Sequence, residues 1–413
     1  MQKLNTREFV DRYNKLTGLI MQKFAADSEC GNIVFSPFSI LSILSILADA
    51  TDGTTSTELK RVLYGELKQE GISEQIQAVR EELTRRPDKE YEWIDLYDDP
   101  IWDKPIRDRS SHLHTANAVC VRDDLYEYIR PEFKKFLREM HNGILLSSSN
   151  ISEAMHAWIS EMICEDIRAL LNEAMSAESI LTIVNSVSFD AMWQYPYDDE
   201  DVKMGIFHNL DETESNVVML HNGGNTFVEN ELATGFVKSF QQCNYSFMAL
   251  MPKEEGTEAL NELINTVDYY DLMQHQQHVI LHTMFPEFEI SFKKSLKQII
   301  KGLGIQTVFT DHADFSAMSS TPLRAEQLVH QAEIQVDRNG AKAAAATALI
   351  LCGSCPPVEE KYVIIDRPFV FAIINEGIKI PVFVGVVNHL DDYKETLEKL
   401  YDEMETRSQY RSK

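Results

Sequence analysis

Cys352-Gly353-Ser354-Cys355 is the one place where two thiols stand at metal or redox spacing. Two thiolates cannot complete a tetrahedral zinc site, which takes four ligands. Pro356-Pro357 follow directly and forbid the helix on which a thioredoxin-type pair depends. His112 with His114, and His275 with His278, have the spacing of one element but no companion ligands, so no metal is expected. The chain also lacks a phosphate-cradling G-x-x-x-x-G-K, a G-x-S-x-G elbow and an H-E-x-x-H helix. Neither a cofactor nor an enzyme active site is expected.

The stretch leading into those cysteines is chemically inert and structurally odd. Six of the eight residues from 341 to 348 are alanine, which buries little apolar area and so anchors poorly. With a period of two, one face reads Ala341, Ala343, Ala345, Thr347, Leu349, Leu351, Gly353. None of these is charged, and Lys342 lies on the other face with Ala344 and Ala346. Such a segment can enter a sheet as a central strand without burying a charge on that face, yet is packed too weakly to be held elsewhere.

The elements around it are mixed. Phe9, Tyr13, Leu16, Ile20 and Phe24 mark an amphipathic first helix. Asn32 to Ile40 leads into an apolar helix reaching Ala50, with Ser36 as cap and Pro37 in the first turn. Another helix starts after Asp52-Gly53, and two more are expected at 72–85 and 151–171. Strands are expected at 180–189, 246–252, 279–285 and 332–336, with at least three from Val363 to Val387. Helices early and strands late make an α+β fold with a large sheet. No Pro/Gly linker divides the chain, and residues 1–413 read as one domain.

Two segments stand apart. Residues 88–104, within an insertion over about 86–110, carry seven acids against Lys89 and Lys104, with Tyr91, Trp93, Tyr97 and Trp102 interleaved. A solvated loop whose aromatics pack on the body is the reading. Leu390, Tyr393, Leu397, Leu400 and Met404 form a helical stripe in the extension over about 390–413, expected to dock on its own domain. The formal charge of −26 repels nucleic acid, heparin-like polymers and anionic membranes. No run of 18 apolar residues is present, so no bilayer span is expected. Residues 1–8 lack the apolar core of a signal peptide. The six cysteines build no disulfide framework. A cytoplasmic site, or an extracellular one by leaderless release or leader removal, is expected.

Over roughly residues 8–390 the chain resembles the serpin family. Asn32 through Ser36 to Ser39 resembles the family's shutter helix, and Asn185 to Phe189, on through Trp193 and Tyr197, its strand ending at the breach tryptophan. Val329-His330-Gln331-Ala332 resembles the shutter histidine strand, Leu303-Gly304-Ile305 and Ala313-Asp314-Phe315-Ser316 the late helix and its loop, and Asp366-Arg367-Pro368-Phe369 and Phe383 to Val387 the terminal strands. Gly340, Ala341 and the run Ala343, Ala344, Ala345, Ala346, Thr347 resemble an inhibitory hinge.

The resemblance implies helices around a large sheet A, smaller sheets B and C, and an exposed reactive loop over about 338–360. It further implies a monomeric, irreversible inhibitor of serine proteases, in which the cleaved loop inserts into sheet A and distorts the trapped enzyme. The scissile bond falls fourteen residues past Gly340, at Ser354–Cys355, flanked by Leu351, Cys352, Gly353 and Pro356. Small residues there imply an elastase-like target, with chymotrypsin-like cutting after Leu351 second. A non-inhibitory relative serving as a binding or chaperone protein is the alternative; such relatives carry charged or bulky hinges. The insertion's charge speaks against heparin activation.

Three departures from the family pattern stand out. Ala341 replaces a common Thr or Ser, and His389-Leu390 replaces a proline past the last strand. Arg338 occupies a position usually acidic, while Glu287 stands where its lysine partner is expected. Both ends are reversed together, which implies the same ion pair with charges exchanged.

Overall fold

The computed structural model describes residues 6–27, 31–65, 72–83, 113–150, 181–222, 225–241, 243–277, 279–341 and 359–393. The acidic insertion, the helix expected over 151–171 and the run from Lys342 to Val358 lie outside them, as does the chain beyond Tyr393.

Helix α1 (Thr6–Asp27) buries Phe9, Tyr13, Leu16, Ile20 and Phe24, as their spacing requires. Helix α2 (Pro37–Ala50) is apolar nearly all round and sits inside the fold. Its first turn is closed by Ser36 Oγ, which accepts the Ser39 N–H at 3.2 Å. Helix α3 (Gly53–Tyr64) is capped by Asp52, and α4 covers Ile72–Leu83. No described helix is long and apolar enough to cross a membrane.

Among the described residues, seventeen strands make three sheets. In chain order they are β1 (Ile33–Phe35), β2 (Leu113–Arg122), β3 (Gly143–Ser148), β4 (Leu181–Phe189), β5 (Ala191–Met192), β6 (Val202–His208), β7 (Glu214–His221), β8 (Thr226–Glu229) and β9 (Ala233–Ser239). Then come β10 (Tyr245–Pro252), β11 (Ile280–Pro286), β12 (Phe288–Ser295), β13 (Gln327–Val336), β14 (Gly340–Ala341), β15 (Glu360–Ile364), β16 (Phe369–Asn375) and β17 (Ile380–Val387). The large sheet runs β3-β2-β4-β13, with β14 and β5 at one end and β12 on the far side of β13. A second runs β1-β17-β16-β10-β9-β8, a third β15-β11-β7-β6.

Two expectations need correction. Ile33–Phe35 is no lead-in to a helix but an edge strand paired with Val384–Val386. The register buries all three side chains, which a solvated helix turn would not. Leu390 is not on a terminal helix: it is buried, and its N–H is bound to Asn209 Oδ1 at 2.9 Å. The early part also holds more sheet than expected, because β2 carries polar residues that interrupt its apolar run. Asn117 among them is buried within the sheet and reads as a turn residue only in isolation.

Candidate functional site

The large sheet has a seam. Over Gln327–Gln331, β13 lies directly on β4 as a parallel partner. Higher up the two part, and β14 sits between β13 and β5, pairing Ala341 with Val336 and Ala191, and Gly340 with Met192. Only a residue without a side chain fits at 340. A Cβ there would lie 2.2 Å from the Ala191 carbonyl oxygen and 2.7 Å from the Met192 Cα.

The turn into β14 is built by Asp337-Arg338-Asn339. Asp337 Oδ1 accepts the N–H groups of Asn339 and Gly340 at 2.7 and 3.1 Å, and Asp337 N–H donates to the Gly340 carbonyl at 3.0 Å. All three turn carbonyls are held by the segment Trp193–Tyr197. Trp193 Nε1 donates to Asp337 O and Trp193 N–H to Asn339 O, both at 2.8 Å, while Tyr197 N–H donates to Arg338 O at 2.9 Å. Trp193 is fully buried and stacked on Phe240 with centroids 4.6 Å apart.

Arg338 and Glu287 meet on this turn. The guanidinium Nε is 3.5 Å from Glu287 Oε1, and Nη1 is 3.2 Å from the exposed Asp199 Oδ1. The same Glu287 Oε1 accepts the backbone N–H of Arg338 at 2.9 Å. Burial pushes the Glu287 carboxyl above its usual range, opposed by the Arg338 main-chain bond and charge. The sequence points to the ion pair but not to the main-chain bond, which needs the turn's path.

The family model for serpins, serine protease inhibitors, matches residues 11–390. The chain is a serpin. Alpha-1-antitrypsin 1-3 of Mus musculus is 26% identical over 383 residues, covering 89% of this chain and 86% of that protein. The structure of tengpin, a thermophilic serpin in its native state, matches with a TM-score of 0.79 at 24% identity, covering 94% of this chain and 96% of that one. That of thyroxine-binding globulin complexed with thyroxine gives 0.77 at 20% identity, covering 93% and 100%. At these identities the structures speak for the fold, and the family generally inhibits serine proteases.

Lower in the serpin sheet, four of the expected shutter residues converge. His330 faces Asn185 as a cross-strand partner, and His330 Nε2 accepts the backbone N–H of Ser36 at 3.1 Å. That acceptor role requires a neutral imidazole, and burial holds its pKa down to about 3. Ser39 joins through its N–H bond to Ser36. Asn117, not singled out in sequence, receives the Asn185 amide on its Oδ1 at 2.7 Å. Asn32 works elsewhere: its Oδ1 accepts the N–H groups of Asn388 and His389 at 2.7 and 2.9 Å, and its amide donates to the His389 carbonyl. It ties the chain past β17 to the start of β1, because it precedes the strand and not the helix.

Arg338, Gly340, Ala341, Trp193 and Glu287 are thus brought together at the top of the sheet. Ala343 to Thr347, Leu351, Cys352, Gly353, Ser354, Cys355 and Pro356 lie outside the described residues. Among the described residues no group of three His, Cys, Asp or Glu side chains is arranged to hold a metal.

Proposed function

We propose that this serpin inhibits serine endopeptidases irreversibly, as a suicide substrate whose cut loop inserts between β4 and β13. The observation that carries the reading is the seat of β14. The first two hinge residues already lie between β13 and β5, while β4 and β13 are joined directly below them. Insertion exchanges that direct pairing for two new ladders along an added strand, and the uncharged alternate face from Ala341 to Gly353 enters without an unpaired charge. The uncut form is then metastable and held kinetically.

The target we assign is elastase-like, from Gly353 and Ser354 before the bond at Ser354–Cys355, and from the absence of Arg or Lys between 343 and 360. Incubation with a panel of serine proteases tests the reading on denaturing gels. A covalent complex with an elastase-type enzyme is expected, together with a rise in melting temperature of tens of degrees once the loop is cut. A cut protein that melts where the intact one does refutes insertion.

A further inference from the structure

Lys238 is a buried lysine at the breach, with 1% of its surface exposed. It lies on β9, directly behind the segment that grips the hinge turn. Its Nζ donates to the Tyr195 carbonyl at 2.7 Å and sits 4.3 Å from the centre of the Tyr197 ring and 5.4 Å from that of Trp193. These three contacts come from one stretch of chain, Trp193–Tyr197, which also holds the carbonyls of Asp337, Arg338 and Asn339. The lysine amine and the hinge turn thus both hold the same five residues.

We propose that Lys238 positions the Trp193–Tyr197 segment against the hinge, so that opening the top of the sheet for the loop requires this amine to be uncovered. The inference rests on the insertion reading above. Lifting the segment removes the Tyr195 carbonyl and both rings from Nζ and lets water reach it.

The uncovering is coupled to a proton. In the closed breach, burial lowers the lysine to about 7, against an ordinary value of 10.5, with Asp201 opposing the shift. Once hydrated, the amine returns toward its ordinary value and takes a proton from solvent. Between those two values the open form therefore binds more protons than the closed one, and acidification favours opening; below about 7 both are charged and the dependence ends. The charged and titratable groups around it are Asp201, which also acts on His221 with Lys203 nearby, and the phenol of Tyr197, which burial keeps neutral. At the turn they are Asp337, Arg338, Glu287 and Asp199, and behind β9 Glu376, which Ser239 bonds.

The test uses the intact serpin and a synthetic peptide with the sequence of residues 341–351, whose annealing into the sheet is followed on native gels. With the wild type, annealing should accelerate as the pH falls from about 9 to about 7, by up to about tenfold per unit, and then level off. Lys238→Met has no proton to take and Lys238→Arg none to lose, so each should lose that slope even if its absolute rate or melting temperature shifts. A flat wild-type profile, or the same slope in both variants, overturns the proposal while leaving insertion intact. A peptide that anneals at no pH overturns the insertion reading along with it.

Discussion

Glu287 Oε1 accepts the backbone N–H of Arg338 at 2.9 Å while lying 3.5 Å from the guanidinium of the same residue. One carboxylate oxygen therefore serves both the main chain and the side chain of the hinge turn. A charge exchange between the two positions preserves only the second contact.

That distinction orders a set of variants at this pair. Glu287→Gln keeps an oxygen for the Arg338 N–H and should cost under about 1 kcal/mol. Glu287→Leu leaves a partly buried donor unsatisfied and should cost about 1.5–3 kcal/mol. Arg338→Glu sets two carboxylates together and should speed polymerisation by loop–sheet exchange. Adding Glu287→Lys restores opposite charges but supplies no acceptor, so polymerisation should slow only part of the way to wild type. Size-exclusion time courses at mild heat check the order, and full recovery in the double variant would show the main-chain bond to be irrelevant.

Gly340→Ala should disable trapping without touching the bait. The added Cβ meets backbone atoms of Ala191 and Met192, which cannot rotate away. The hinge is then pushed out of the sheet, and the loop is cut as an ordinary substrate. Gel densitometry against an elastase-type protease should show more cleaved serpin and less covalent complex, and a smaller gain in melting temperature on cutting. Unchanged partitioning would contradict the seat of β14.

Acid should weaken the shutter through His330. Its folded pKa of about 3 lies below the ordinary value of 6.5, so between these the unfolded chain binds a proton that the native one does not. The contribution to stability is complete above about 6.5 and is lost as pH falls below it, at no more than about 1.4 kcal/mol per unit. His330→Gln removes the titrating group, and its denaturant midpoint should fall less between pH of about 7.5 and about 5 than that of wild type. Parallel losses in both proteins would assign the acid limb to other residues.

The scissile bond is fixed by the mass of the released C-terminal peptide. Cutting at Ser354–Cys355 gives a fragment that begins with Cys355. The next bond, Cys355–Pro356, is a poor substrate because proline offers no N–H to the protease. A fragment starting at Cys352 would move the bond to Leu351 and the target to a chymotrypsin-like enzyme.

The sequence by itself determined the elements with strong local signals. The helical spacing of Phe9 to Phe24, the Ser36 cap and the uncharged alternation from Ala341 onward are patterns that neighbouring residues impose on each other. The exchange of charge at Glu287 and Arg338 was legible as well, once the family's spacing located both positions. What only the tertiary structure decided are contacts between distant segments: the three carbonyls of the Asp337–Asn339 turn on Trp193 and Tyr197, Asn117 under Asn185, Asn32 on His389, and Lys238 behind Tyr195. The reason is physical. A buried polar side chain needs a partner, but any backbone carbonyl serves, and carbonyls carry no signature in the sequence.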